Sequence, residues 1–148
     1  MKVREILRVK GGTLFTATPE QPLSAAIALM AELDAGSLVV MESGEMVGML
    51  TFREVLKSLK DGGACPPSMK VADVMVRNPV TAYPDMEANE LRRLMIEKHS
   101  RYLPVLDGKL LMGVVSFLDV AKAVLEEQGL ENLMLKNYIK NWPDEPAA

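Results

Sequence analysis

Gly113-Val-Val-Ser116-Phe-Leu-Asp119 has a counterpart 65 residues upstream, Gly48-Met-Leu-Thr51-Phe-Arg-Glu54. Each joins a glycine, a hydroxyl and an acid at one spacing, where an apolar run gives way to a helical pattern. Outward from these segments, the same shift lays Phe15–Lys57 on Val80–Lys122 without a gap. Thr16, Ala17 and Pro19 meet Thr81, Ala82 and Pro84. Leu29, Met30 and Glu32 meet Leu94, Met95 and Glu97, and Leu38 and Val40 meet Leu103 and Val105. Upstream, Val3–Leu7 falls on Val71–Met75, with three extra residues in the first copy around Lys10-Gly11-Gly12. Self-similarity on this scale means a duplicated structural unit.

Each unit predicts the same elements. A short helix (Val3–Leu7; Lys70–Met75) precedes a short strand (Thr13–Ala17; Val80–Ala82) and a Pro-containing turn. An amphipathic helix follows, about Pro22–Leu33 and Glu87–Lys98, with Leu23, Ile27 and Met30 on one face. Two strands then flank a tight turn: Ser37–Met41 and Met46–Leu50 around Glu42–Glu45, and Tyr102–Leu106 and Leu110–Val115 around Asp107-Gly108-Lys109. A second helix closes each unit, about Phe52–Lys60 and Phe117–Glu126. A β-α-β-β-α unit of about 60 residues is marginal alone, whereas two can cover each other's exposed sheet faces. The fold class is therefore α+β, two pseudo-symmetric repeats packed through their sheets, plus a C-terminal helix. The expected boundaries are 1–60 for the first repeat, 61–69 for the linker, 70–127 for the second repeat, and 128–148 for the helix and tail.

Composition removes several function classes. With 17 Lys+Arg against 20 Asp+Glu the net charge is −3, unsuited to a nucleic-acid module that neutralises phosphates. A 49% hydrophobic content is too high for a disordered chain. No apolar run approaches the roughly 20 residues of a membrane span, and the charged N-terminus lacks a signal-peptide core. The lone cysteine, Cys65, cannot form an internal disulfide, which fits a cytoplasmic location. One His and one Cys leave little for a triad or a Cys/His metal site. P-loop, G-x-G-x-x-G, H-E-x-x-H and C-x-x-C patterns are missing from the sequence, so neither an enzyme nor a metal site is expected.

The two hydroxyl–acid segments admit two explanations. Thr51-x-x-Glu54 is a helix capping box, and Ser116-x-x-Asp119 is a shorter one, each worth about 1 kcal/mol. The same geometry also suits a ligand. Free N–H groups at a helix start attract an anion, a hydroxyl can hold a phosphate, and an acid one turn on can accept from a ribose diol. Gly48 and Gly113 would let a ligand approach the strand backbone. Together these describe a nucleoside-phosphate site.

Asp73-Val-Met75, Asn78-Pro-Val-Thr81, Leu94-Met95, Leu103-Pro-Val105 and Gly113-x-x-Ser116-x-x-Asp119, with their duplication, resemble the CBS domain, named after cystathionine β-synthase; two in tandem resemble a Bateman module. The resemblance spans about Val3–Leu125. It implies a disc-like pair with clefts between the repeats that bind AMP, ADP, ATP or S-adenosylmethionine, and a regulatory role without a catalytic cofactor. It assigns phosphate and ribose contacts to Ser116 and Asp119, and the base to Thr81 and Ala82. Arg101 offers a phosphate partner and Tyr102 a stacking surface; Pro104 completes the set. A weaker second site is expected from Thr16, Ser37, Thr51 and Glu54, because Glu54 replaces the usual Asp, Val39 replaces Pro, and Asp34 should repel phosphate. The clefts are shared between repeats, and sequence assigns no loop to either one.

Outside the repeats, His99 is expected at a solvated helix end, Cys65 as a tolerated linker residue, and the eleven methionines as adaptable core. The tail carries Leu130, Leu133, Met134 and Tyr138 at helical spacing, with Leu135 and Ile139 beside them, and Trp142-Pro143 at its end. A face that broad should fold back on the module or cover a second subunit, and a homodimer is favoured. The leading expectation is thus a ligand sensor acting on an unidentified target protein. The alternative is a ligand-free dimeric interaction scaffold with degenerate clefts.

Overall fold

A computed structural model describes residues 1–60, 63, 64 and 66–140. In chain order the elements are α1 (Val3–Lys10), β1 (Thr16–Ala17), α2 (Leu23–Leu33), β2 (Ser37–Glu42), β3 (Glu45–Thr51), α3 (Phe52–Ser58), α4 (Val71–Val74), α5 (Ala88–Lys98), β4 (Tyr102–Asp107), β5 (Leu110–Ser116) and α6 (Phe117–Lys140). The class is α+β, as expected. Cys65 and Trp142-Pro143 lie outside the described residues, as do the side chains of Tyr138 and Ile139.

The two halves repeat each other closely. β2 pairs antiparallel with β3, and β4 with β5, each with a register shift at the same place, Val40/Met41 and Val105/Leu106. Both hairpins turn through residues of positive φ, Ser43 and Gly44 in one and Gly108 in the other. Helices α2 and α5 end alike: Asp34 and His99 adopt the left-handed conformation, and the next amides, of Ala35 and Ser100, reach back to Met30 and Met95. His99 is thus the helix-terminating residue of the second half.

The entry strands are shorter than predicted. Only Thr16 and Ala17 pair with β2, in parallel, and in the second half Ala82 alone bridges Val105. At the other end, α6 runs through Gly129 as one helix, merging the two helices expected around position 128. A glycine costs a helix about 1 kcal/mol, too little to break a segment with good helix formers on both sides.

The leading helices are exchanged between the halves. Val3 and Ile6 of α1 are buried with Leu91, Leu103, Val105 and Val115, the core of the second repeat. Val71 and Met75 are buried with Leu23, Leu38 and Leu50, the core of the first. Matching backbone bonds fix each helix: Val3 and Arg4 amides donate to Met86 and Pro84, and Val71 and Ala72 amides to Gln21 and Pro19. Exposed ion pairs repeat the theme, Arg4 with Asp85 and Lys70 with Glu20, each at 2.6 Å. Strands β3 and β5 meet across the halves. Among the described residues, no helix is long and apolar enough to cross a membrane.

Candidate functional site

Strands β3 and β5 each end in a hydroxyl that caps the following helix. In the second half the capping bonds are reciprocal: the Ser116 amide donates to Asp119 Oδ2 at 2.9 Å, and the Asp119 amide to Ser116 Oγ at 3.1 Å. In the first half, the Thr51 amide and hydroxyl both donate to Glu54 Oε1, at 2.8 and 2.7 Å, and the Arg53 amide donates to Thr51 Oγ1. The longer Glu54 side chain folds back and is buried. Glu54 thereby satisfies the cap and leaves little of its carboxylate facing solvent.

Two clefts share Arg101 and Tyr102 in their linings. The first, of about 480 Å³, includes Lys10, Thr13, Phe15, Asp34, Gly36, Ser37, Val114 and Ser116. The second, of about 460 Å³, includes Thr51, Arg53, Glu54, Lys57, Val76, Pro79, Val80 and His99. Each cleft therefore joins the hydroxyl of one half to the strand-entry segment of the other. The grouping expected by repeat is not the one assembled. Ser37 accompanies Ser116, Arg101 and Tyr102, while Thr81, Ala82, Pro104 and Thr16 line neither cleft; Asp119 is also outside both linings and reaches the Ser116 cleft only through its bonds to Ser116 and Lys10. Ala82 is buried in the second half's core, and Pro104 is buried on the opposite face of β4 from the core residues Leu103 and Val105. Of the expected base-contacting strand, the neighbours Pro79 and Val80 face the Thr51 cleft instead.

The charge distribution also departs from expectation. Asp34 lines the Ser116 cleft, so its repulsion acts there rather than on the Thr51 cleft. The Thr51 cleft instead collects Arg53, Lys57 and Arg101 around Glu54, and Arg53 is braced by a 2.7 Å bond from Nη2 to the His99 carbonyl. The electrostatic argument for a weak second site therefore does not hold.

Lys10 is the functional candidate that repeat comparison passed over. Its Nζ lies 2.8 Å from Asp119 Oδ2 and 2.9 Å from the Val114 carbonyl, reaching across from the end of α1. Burial tends to raise the Asp119 pKa, but the Lys10 ammonium and the Ser116 amide outweigh it and hold the carboxyl below its ordinary value. The corresponding place in the first half has backbone instead: Met49 and Val76 exchange N–H···O bonds at 3.0 and 2.8 Å. Gly48 serves that contact rather than a ligand, because a Cβ there would stand 2.7 Å from the Val76 carbonyl. Gly113 faces Leu7 in the same way, with Cδ2 3.1 Å from a notional Cβ. Tyr102 packs on Gly36, where a Cβ would meet its hydroxyl at 1.8 Å. A glycine in one half thus makes room for an aromatic ring from the other.

Comparison with known proteins agrees with this architecture. The family model of the CBS domain matches residues 3–61 and 71–126. The CBS domain-containing protein YhcV of Bacillus subtilis is 33% identical over 109 residues, 72% of this chain and 75% of that one. The crystal structure of the CBS-domain containing protein ATU1752 from Agrobacterium tumefaciens superposes with a TM-score of 0.78 at 27% identity, covering 83% of this chain and 98% of that one. The CBS domain pair of protein MJ0100, solved with 5′-methylthioadenosine and S-adenosyl-L-methionine, shares the fold with a TM-score of 0.74 at 20% identity, covering 86% and 98%.

Proposed function

The chain belongs to the CBS-domain family, of which it carries two copies, and from that premise we propose that it is a regulatory module whose clefts bind an adenosine-containing ligand. AMP, ADP, ATP and S-adenosylmethionine are the candidates. The observation that carries this reading is a cleft of about 480 Å³, within the range of small-molecule sites, lined by Ser116 and Lys10, both of which are hydrogen-bonded to Asp119. Ser116 can donate to a phosphate, Asp119 can accept from a ribose hydroxyl, and Tyr102 offers a face for the base. The MJ0100 pair, with its two adenosine compounds, supports the ligand class.

A ligand in either cleft would touch both halves and so bias how they sit together, which is the physical basis of a sensor. The role is regulation rather than catalysis, since the candidate acids are engaged by cap donors and Lys10. A target protein in the cytoplasm would receive the signal. Exposed Leu130, Leu133, Met134 and Leu135 on α6 support a second copy of the chain as an additional partner. The ligand-free dimeric scaffold is the second reading, favoured by Glu54, which is buried and bonded twice to Thr51. Thermal denaturation of the full chain with AMP, ADP, ATP, S-adenosylmethionine and NAD(H) separates the two. A sensor gains melting temperature with at least one adenosine compound. No shift with any of them overturns the sensor and leaves the scaffold.

A further inference from the structure

We propose that Lys10 sets the charge of the ligand that the Ser116 cleft accepts, favouring phosphate-bearing nucleosides over neutral ones. The inference rests on reading that cleft as a nucleoside site. Asp119 Oδ2 already accepts from the Ser116 amide and from Lys10 Nζ, so the carboxylate is tied to two residues that line the cleft. A ribose diol that engages both carboxylate oxygens must therefore displace the Lys10 ammonium. A neutral nucleoside leaves that cation with only the Val114 carbonyl, so the lost ion pair counts against binding. A ligand with a phosphate gives the ammonium a new anion within the same cleft, which Lys10 lines together with Arg101.

The geometry is specific to this half. Lys10 falls in the three-residue insertion that the second copy lacks, and the equivalent place beside Thr51 and Glu54 is filled by the Met49–Val76 backbone bridge. The Lys10 side chain keeps 35% of its surface exposed and that of Asp119 22%, so the carboxylate is the more shielded member of the pair. Lys10 also closes α1, whose Val3 and Ile6 are seated in the second core, so its release acts on an element shared by both halves.

The test compares adenosine with AMP, which differ only in the 5′-phosphate. Amide-shift titrations of the full chain, read at Val114, Ser116 and Asp119, give affinities for this cleft alone. The parent should prefer AMP by at least about tenfold, the scale of one charge-assisted hydrogen bond. Lys10→Met should bind adenosine more tightly and AMP more weakly than the parent, and Lys10→Arg should restore the preference. If both ligands bind and Lys10→Met keeps the parent's preference, the role of Lys10 is overturned while the nucleoside site stands. If neither ligand moves these amides in parent or variant, both proposals fall.

Discussion

The amide of Val3 donates to the carbonyl of Met86 at 2.9 Å, joining the first helix of the chain to the second repeat. The reverse exchange, Val71 to Gln21, ties α4 to the first repeat. Neither half therefore owns all of its core, and a displacement of one half would be felt in the other through these helices.

This exchange predicts where a core defect is felt. Ile6→Ala removes a side chain that is 4% exposed and should cost about 2–5 kcal/mol in denaturant unfolding. Its amide-shift changes should centre on Val105 and Val115, in the other repeat, rather than on Val40 and Leu50. Changes confined to the first repeat's strands would contradict the exchanged arrangement.

The Lys10–Asp119 pair predicts an acid-sensitive contribution. Asp119 is held below its ordinary value in the folded chain because Lys10 and the Ser116 amide outweigh the effect of burial. A carboxyl depressed by folding stabilises above its unfolded pKa, about 4, and that stabilisation is lost as pH falls through the folded value. Asp119→Asn should therefore be less stable than the parent near neutral pH, and the gap should narrow as pH drops below about 4. Paired urea titrations across that range measure it. A gap independent of pH would show that the charge of Asp119 is immaterial.

Gly48 should tolerate no side chain. A Cβ would meet the Val76 carbonyl at 2.7 Å, and that carbonyl is pinned by the Met49 amide. Gly48→Ala should cost about 1–3 kcal/mol as the bridge between β3 and the segment after α4 gives way. Gly12→Ala, with nothing within 4 Å of its added carbon, is the control and should change stability by less than about 0.5 kcal/mol.

Much of this was legible in the residues. The 65-residue period located both hairpins, both amphipathic helices and both hydroxyl–acid caps, because capping and turn chemistry are local. Partnership across the repeats was not legible. Val3 and Ile6 pair with distant residues, and an alignment of two copies places each helix beside its sequence neighbours by default. Lys10 escaped for a related reason: it lies in the insertion, where one copy has nothing to compare with the other. The resemblance groups Thr81 with Ser116 and leaves the assignment of loops to the two shared clefts open, whereas in the structure the Ser116 cleft takes its entry segment, Thr13–Phe15, from the first repeat. Ahead of the short β1, the Phe15 carbonyl still accepts from the Val39 amide, and Thr13 and Leu14 line the Ser116 cleft.

The central claim is that Ser116 and Asp119 hold an adenosine ligand. Calorimetric titration of the parent and Asp119→Ala, using whichever adenosine compound gives the largest thermal shift, tests it most directly. Saturable binding by the parent, weakened at least about tenfold in Asp119→Ala through loss of charge-assisted bonds to the ribose, is the predicted result. Equal affinity in the two proteins would contradict it.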